Sequence, residues 1–182
     1  VVFMLKRQGR MHHDIADFPN RAFYGGQLTE VPLEHQQQPL PEAAPHADFF
    51  KNILTTQRLA FIAAPQPAES PSDKVNQTEA DLIAEAVVKI YELTGSSFDV
   101  AHTVGIIVPY RNQIATIRNT LDRYGIPALH DITIDTVERY QGSQRDYILY
   151  GFTIQQYYQL NFLTDTVFEE DGALIDRNVN VA

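Results

Sequence analysis

Between Asn76 and Thr153 the hydrophobic pattern keeps changing period, and that alternation restricts the fold more than any other feature of the chain. From Asn76 to Leu93, residues Ala80, Ile83, Ala84, Val87, Val88 and Tyr91 recur at the spacing that puts them on one helical face. Thr103 to Val108 is a short apolar run, as a buried strand requires. Arg111 to Tyr124 returns to helical spacing with Ile114, Ile117 and Leu121. Gly125 stands where a C-cap belongs, and Pro127 keeps the helix from resuming. Ile132 to Val137 and Tyr147 to Thr153 read as two more strands, separated by a polar loop that opens at Gln141-Gly142. Strands alternating with amphipathic helices predict an α/β fold: a mostly parallel sheet flanked by helices on both faces.

The rest of the chain is less regular. Val1 to Leu5 reads as a strand or the tail of one. Met11 to Tyr24 reads as a helix through Ile15, Phe18, Ala22 and Phe23, with a kink or break expected at Pro19 and an end at Gly25-Gly26. From Val31 to about Ser72 the chain is irregular, holding Pro32, Pro39, Pro41, Pro45, Pro65, Pro67 and Pro71. Arg58 to Ala64 interrupts it and reads as a strand; Pro65 to Ser72 reads as a surface loop. The Gln36-Gln-Gln run is too short to be low complexity, and no internal repeat is present. A loop with a late acidic segment follows Thr153.

A length of 182 residues suits one domain, or one domain with a long insertion, and 44% hydrophobic residues can fill a core. The absence of cysteine excludes disulfides and thiolate metal sites and fits a reducing compartment. No stretch approaches the roughly 20 apolar residues that span a bilayer. The start of the chain is the reverse of a secretory signal, so a cytoplasmic protein without membrane attachment is expected. The net charge of −9 argues against a surface coated for nucleic acid. Its distribution leaves room for a local positive groove: Arg111, Arg118, Arg123, Arg139 and Arg145 cluster in sequence, while Asp165, Glu169, Glu170, Asp171 and Asp176 gather late.

Three polar segments stand at the edges of expected core elements: Gln8-Gly-Arg-Met-His-His13, Pro109-Tyr-Arg-Asn-Gln113 and Gln141-Gly-Ser-Gln-Arg-Asp146. Loops leaving the carboxyl ends of parallel strands collect on one rim, where arginine suits bidentate phosphate contacts. No Gly-x-x-x-x-Gly-Lys-Ser/Thr loop is present, so a loop that grips a triphosphate has to come from elsewhere. His12-His13 are adjacent with no third ligand nearby in sequence, and no metal site is expected. His102 and His130 are expected in loops, Arg111, Arg118 and Arg123 on a solvated helix face, and Tyr157-Tyr158 as an exposed or half-buried pair.

The order and spacing of these segments resemble the second RecA-like domain of superfamily 1 helicases, in the branch with Upf- and Dna-type cores. The family's Gln-Tyr-Arg-Met-His-Pro, then Phe-Pro and Phe-Tyr-x-Gly-x-Leu, is matched by Gln8 to His13, Phe18-Pro19 and Phe23-Tyr-Gly-Gly-Gln-Leu28. Its Ile-Thr-Pro-Tyr-x-x-Gln is matched by Ile107-Val-Pro-Tyr-Arg-Asn-Gln113. Its Thr-Val-Asp-x-Phe-Gln-Gly-x-Glu-x-Asp is matched by Thr136-Val-Glu-Arg-Tyr-Gln-Gly-Ser-Gln-Arg-Asp146, and Asn180-Val-Ala182 resembles the start of Leu-Asn-Val-Ala-Leu-Thr-Arg-Ala.

The resemblance implies that residues 1–182 form that second RecA-like domain, with 31–72 as an inserted segment. It implies a fragment that is inactive alone and completes an ATP cleft with an N-terminal RecA-like domain of the same parent chain. ATP and Mg²⁺ would be held mainly by that other domain. Arg10 would act on the γ-phosphate as an arginine finger does. Gln8, Gln141 and Gly142 would line the nucleotide cleft, and Gln144 would stand where the family's glutamate binds the sugar. Pro109, Tyr110, Gln113 and Thr136 would lie along the track for single-stranded DNA or RNA. The departures are Gly9 and His13 in the first motif, the uncharged Gln144, and Asn178 in place of an arginine; a second catalytic arginine would come after Ala182. The alternative they leave open is a non-catalytic nucleic-acid-binding or scaffolding module derived from the helicase fold.

Overall fold

The computed structural model describes residues 5–40, 42–65, 70, 72–140 and 143–160, with the backbone alone of 167–170 and 173–176. The chain divides into two units, one of the described residues up to Phe61 with those of Val167–Asp176, the other of the described residues from Ile62 to Leu160.

In the first unit β1 (Arg7–Gln8) pairs in parallel with β2 (Thr29–Glu30). Helix α1 (His13–Phe23) makes the crossover between them, with the His12 Nδ1 accepting from Asp14 N at 3.2 Å as its N-cap. At its other end Gly25 and Gly26 take φ of 55° and 75°, and the Asn20 amide holds Leu28 through both backbone polar groups. The helix runs on through Pro19 and is not broken there as expected. The bond lost to proline is the one to the Ile15 carbonyl, on a side of the helix where Ile15 is exposed and water can take its place. The apolar spacing also overstated the buried face: Ala16 is buried, whereas Ile15, Phe18 and Ala22 are exposed.

The irregular segment contains two helices, α2 (Glu34–Gln37) and α3 (Phe49–Thr56), the latter capped by Asp48 Oδ1 accepting from Lys51 N at 3.0 Å. Arg58 to Ala64 is not a strand: it spans the boundary between the units and its Leu59 and Phe61 side chains are exposed. Apolar composition suits a strand, but a strand also needs a neighbour for its backbone groups.

In the second unit α4 (Gln77–Thr94) lies against α5 (Arg111–Asp122). Between them in sequence comes β3 (Val104–Ile107), with every residue buried, and after them β4 (Thr133–Asp135) and β5 (Tyr147–Tyr150). The strands lie in the order β4-β3-β5 and both pairings are parallel. β3, buried on both faces, is the centre of the core.

Two strand ends fall earlier than expected. β4 stops at Asp135, and Val137 opens the short helix α6 (Val137–Tyr140). β5 stops at Tyr150, three residues before Thr153, whose φ of 54° turns the chain out of the sheet. α6 sits over Gly105, where an added Cβ would overlap the Tyr140 hydroxyl. The C-cap of α5 is Arg123, and Gly125, expected there, takes its positive φ of 64° two residues later.

The late acidic segment is not a loop throughout: β6 (Val167–Glu170) and β7 (Ala173–Asp176) pair there as an antiparallel hairpin, grouped with the first unit. Of the strand expected at Val1 to Leu5, all but Leu5 lies outside the described residues, and Leu5 is not in a strand. No helix among the described residues is long and apolar enough to cross a membrane.

Candidate functional site

Arg10 lies in the turn between β1 and α1, and the backbone on both sides of it is held by side chains. Gln8 folds back under the turn: its Oε1 accepts from Arg10 N at 2.9 Å and Met11 N at 2.7 Å, and its Nε2 donates to Met11 O at 2.8 Å. Gln36 on α2, fully buried, donates from Nε2 to Gln8 O and to Met11 O, both at 3.1 Å. The exposed His35 ring meets Gly9 O through Nε2 at 3.0 Å. The Arg10 side chain itself is exposed and makes no hydrogen bond or ion pair among the described residues. A permanently charged, exposed guanidinium on a fixed backbone is well suited to an incoming anion. The amide of Gln8, the residue expected at the nucleotide, builds this turn.

Next to it, His12 is buried, and burial followed by the nearby Arg58 charge pushes its imidazole toward the neutral form. That form leaves Nδ1 a lone pair with which to cap α1. Among the described residues one group clusters metal-type donor atoms, His12, His13 and Asp14, all within 4.8 Å of one another. Its geometry is accounted for without an ion, since His12 Nδ1 is committed to the cap and Arg58 Nε stands 3.6 Å from the Asp14 carboxylate. Two imidazoles and one carboxylate also do not suit Mg²⁺, which takes oxygen ligands.

In the second unit, the carboxyl ends of β3 and β4 are joined by Val108 N donating to Asp135 O at 3.1 Å, which brings Pro109 and Thr136 to the same rim. Pro109, Tyr110 and Thr136 are half-buried there, and the Thr136 hydroxyl makes no hydrogen bond among the described residues. A shallow groove of ≈ 400 Å³ runs beside them, lined by Arg111, Arg118, Asp135 and Arg139 with Ile114, Ala115 and Ile134. Arg111 is exposed, and Arg139 is 3.9 Å from Asp135. Arg118 departs from the solvated role expected of it. It is half-buried and donates to the carbonyl oxygens of Leu129, His130 and Ile132, tying α5 to the start of β4.

Gln113 also departs from its expected place on the strand track. It is fully buried, with Oε1 accepting from Asn76 N and Nε2 donating to Asn76 O, both at 2.9 Å, and to Glu79 Oε2 at 3.1 Å. It braces the rim from beneath and presents no free amide above it. The same brace includes Asn76, whose Oδ1 caps α4 by accepting from Glu79 N at 3.0 Å. The Glu79 carboxylate accepts from Thr153 N at 2.9 and 3.0 Å and from its hydroxyl at 3.1 Å. Burial pushes the Glu79 carboxyl above its ordinary range, against the hydrogen bonds from Thr153 and Gln113 that favour the anion. Further out, buried Gln159 accepts through Oε1 from Gln155 N and Gln156 N, at 2.8 and 2.9 Å. Tyr157 and Tyr158 are exposed, as are His102 and His130, each beside an aspartate.

Gln141 and Gly142 lie outside the described residues. Gln144 is exposed at the other end of the strands: Asp146 N donates to His102 O and Tyr147 N to Thr103 O, just before β3 begins. Within the second unit, the segment from Pro109 and the segment that ends at Asp146 therefore lie at opposite ends of the strands. A parallel connection leaves the carboxyl end of one strand and must return to the amino end of the next. Arg145, beside Gln144, reaches Thr133 Oγ1 at 3.1 Å and lies 5.5 Å over the Tyr140 ring.

Fold and loops together define a RecA-like α/β domain. Its sequence matches the family described as "AAA domain" over residues 1–168. It is 30% identical over 87% of its length to "Regulator of nonsense transcripts 1" of Dictyostelium discoideum, covering 12% of that protein. It is 31% identical over 81% of its length to "Helicase SEN1" of Saccharomyces cerevisiae, covering 6% of it. A third relative is the "DNA replication ATP-dependent helicase/nuclease dna2" of Schizosaccharomyces pombe, at 26% identity over 83% of this chain and 11% of that protein. The chain belongs to the superfamily 1 helicases, in the Upf- and Dna-type branch. It spans about an eighth or less of these relatives.

Sequence reasoning missed Gln36, Asn76, Glu79 and Thr153. For two of these a signal existed: Asn76-Gln-Thr-Glu79 has the spacing of a capping motif ahead of an apolar run. Nothing in the Gln36-Gln-Gln run marks which glutamine is buried.

Proposed function

We propose that residues 1–182 act as the second motor domain of an ATP-dependent helicase, working against another RecA-like domain that carries the phosphate-gripping loop and holds Mg²⁺. The observation that carries this reading is the Arg10 turn, where a braced backbone presents a guanidinium that has no partner among the described residues. ATP bound on the facing domain would bring its γ-phosphate to that guanidinium. Arg10 then stabilises the negative charge that builds on the phosphoryl oxygens during transfer to water. Mg²⁺ would neutralise phosphate charge from the other side. Gln144, with Gln141 and Gly142, contributes neutral polar contacts to the nucleotide and its sugar.

Single-stranded DNA or RNA passes along the rim of Pro109, Tyr110 and Thr136. Its phosphates are attracted to Arg111 and Arg139 in the adjoining groove, without base readout. Opening and closing of the nucleotide cleft would shift this rim relative to the other domain and so move the strand.

The test is ATP turnover by the full-length protein with and without single-stranded DNA or RNA, beside its Arg10→Ala variant. Stimulation by one polymer with a loss of about a thousandfold in kcat in the variant supports the motor and names the polymer. A second reading is favoured by the uncharged Gln144: a scaffold that binds a strand without turnover. Strand binding by a folded protein that hydrolyses nothing would replace the motor with that scaffold.

A further inference from the structure

We infer that Gln36 is a positioning residue for Arg10, setting the direction of its side chain through the backbone without touching it. The inference rests on the reading of Arg10 as the group that meets the γ-phosphate. Gln36 is fully buried, and its amide is used at both ends. Nε2 gives its two protons to Gln8 O and Met11 O, each at 3.1 Å, and Oε1 accepts from Leu33 N at 3.4 Å. The two carbonyls it grips flank Gly9 and Arg10, so the span that aims the guanidinium is pinned at both ends.

Glutamine is the side chain this place calls for. A glutamate would turn an acceptor toward two carbonyl oxygens, a leucine would fill the volume and donate nothing, and an asparagine is one methylene short. The exposed His35 adds a weaker hold on the carbonyl of Gly9, between the two points that Gln36 grips. Gln8 closes the turn from within through Arg10 N and Met11 N, but its side chain belongs to the loop it folds. Gln36 comes from a separate element, α2, across 25 residues from Met11. The placement of Arg10 therefore depends on how α2 is seated.

A clamp of this kind acts on the transition state more than on binding, because misaiming one guanidinium costs the late contact and leaves the grip on ATP to other groups. In the full-length protein, Gln36→Leu is expected to lower kcat for ATP about tenfold or more, with KM changed by less than about twofold. On the Arg10→Ala background the same substitution should cause no further loss. A residue that merely supports the fold would depress both backgrounds alike.

His35→Ala is the milder companion should Gln36→Leu fail to fold. It removes one exposed contact and is expected to lower kcat a few-fold with the same dependence on Arg10. Equal losses with and without Arg10, a loss confined to KM, or unchanged kcat in both variants would overturn the clamp. An Arg10→Ala variant that turns over ATP like the wild type would remove the γ-phosphate reading and the clamp with it. A large Arg10 effect with none from Gln36 or His35 removes the clamp alone.

Discussion

Tyr140 brings a hydroxyl into a place that offers it no partner. Its ring is part of the small core of Ile107 and Val137, with Tyr150 packed against it, yet its buried hydroxyl makes no hydrogen bond among the described residues. The resemblance aligns this position with a phenylalanine, and Gly105 supplies the space that the extra oxygen occupies. Tyr140→Phe is therefore expected to stabilise the chain by about 1 kcal/mol, read as a higher denaturant midpoint at unchanged slope. A lower midpoint would mean that the hydroxyl has a partner after all. Gly105→Ala is expected to cost about 1–3 kcal/mol, since the new methyl meets ring and hydroxyl together.

Glu79 gives a prediction of pH dependence. Burial raises its carboxyl above the ordinary range, so between the ordinary and the raised value the folded state holds a proton that the unfolded state has released. Stability contributed by the protonated form is present below that window and falls as pH climbs through it. Glu79→Gln should flatten the fall. Unfolding curves taken across the weakly acidic range would check it, and an unchanged slope in the variant would clear Glu79 of the effect.

At the scale of elements, the core of the second unit was legible because helix and strand periods are intrinsic to it. α4, β3 and α5 lie within a residue or two of where their hydrophobic spacing put them. What could not be read were short elements whose existence depends on partners. α6 has four residues, too few for a period, and α2 exists around one buried glutamine. Arg58 to Ala64 shows the opposite error, with a strand's composition and no strand formed. The candidate site divides in the same way: motif order led to Arg10, Pro109 and Thr136, whereas the braces beneath them are tertiary. Asn76 joins two elements: its side chain caps α4, and its backbone N–H and C=O are held by the Gln113 side chain from α5. Asn76→Ala is expected to cost about 0.5–2 kcal/mol in unfolding, the range of a lost cap, because the bonds from Gln113 go to the Asn76 backbone and survive the substitution.

For the molecule as a whole, a net charge of −9 confines attraction for a polyanion to places where arginines gather locally. The groove of Arg111 and Arg139 is such a place. If the strand runs there, affinity of the full-length protein for single-stranded polymer should fall as salt rises. Replacing both arginines by alanine should lower the magnitude of the logarithmic slope by about 1–1.5. An unchanged slope would put the strand elsewhere.

The contact between Gly105 and Tyr140 also bears on the paths by which such a chain can change. An aromatic ring at 140 and a side chain at 105 compete for one space, since a Cβ at 105 would stand 2.6 Å from the ring's Cζ and 3.0 Å from Arg145 Cγ. The order of replacements at the two positions therefore matters: a methyl at 105 is cheaper once the ring has shrunk than while it is in place. While the ring stays, a change at position 105 carries that cost, whatever selection acts on the strand it belongs to.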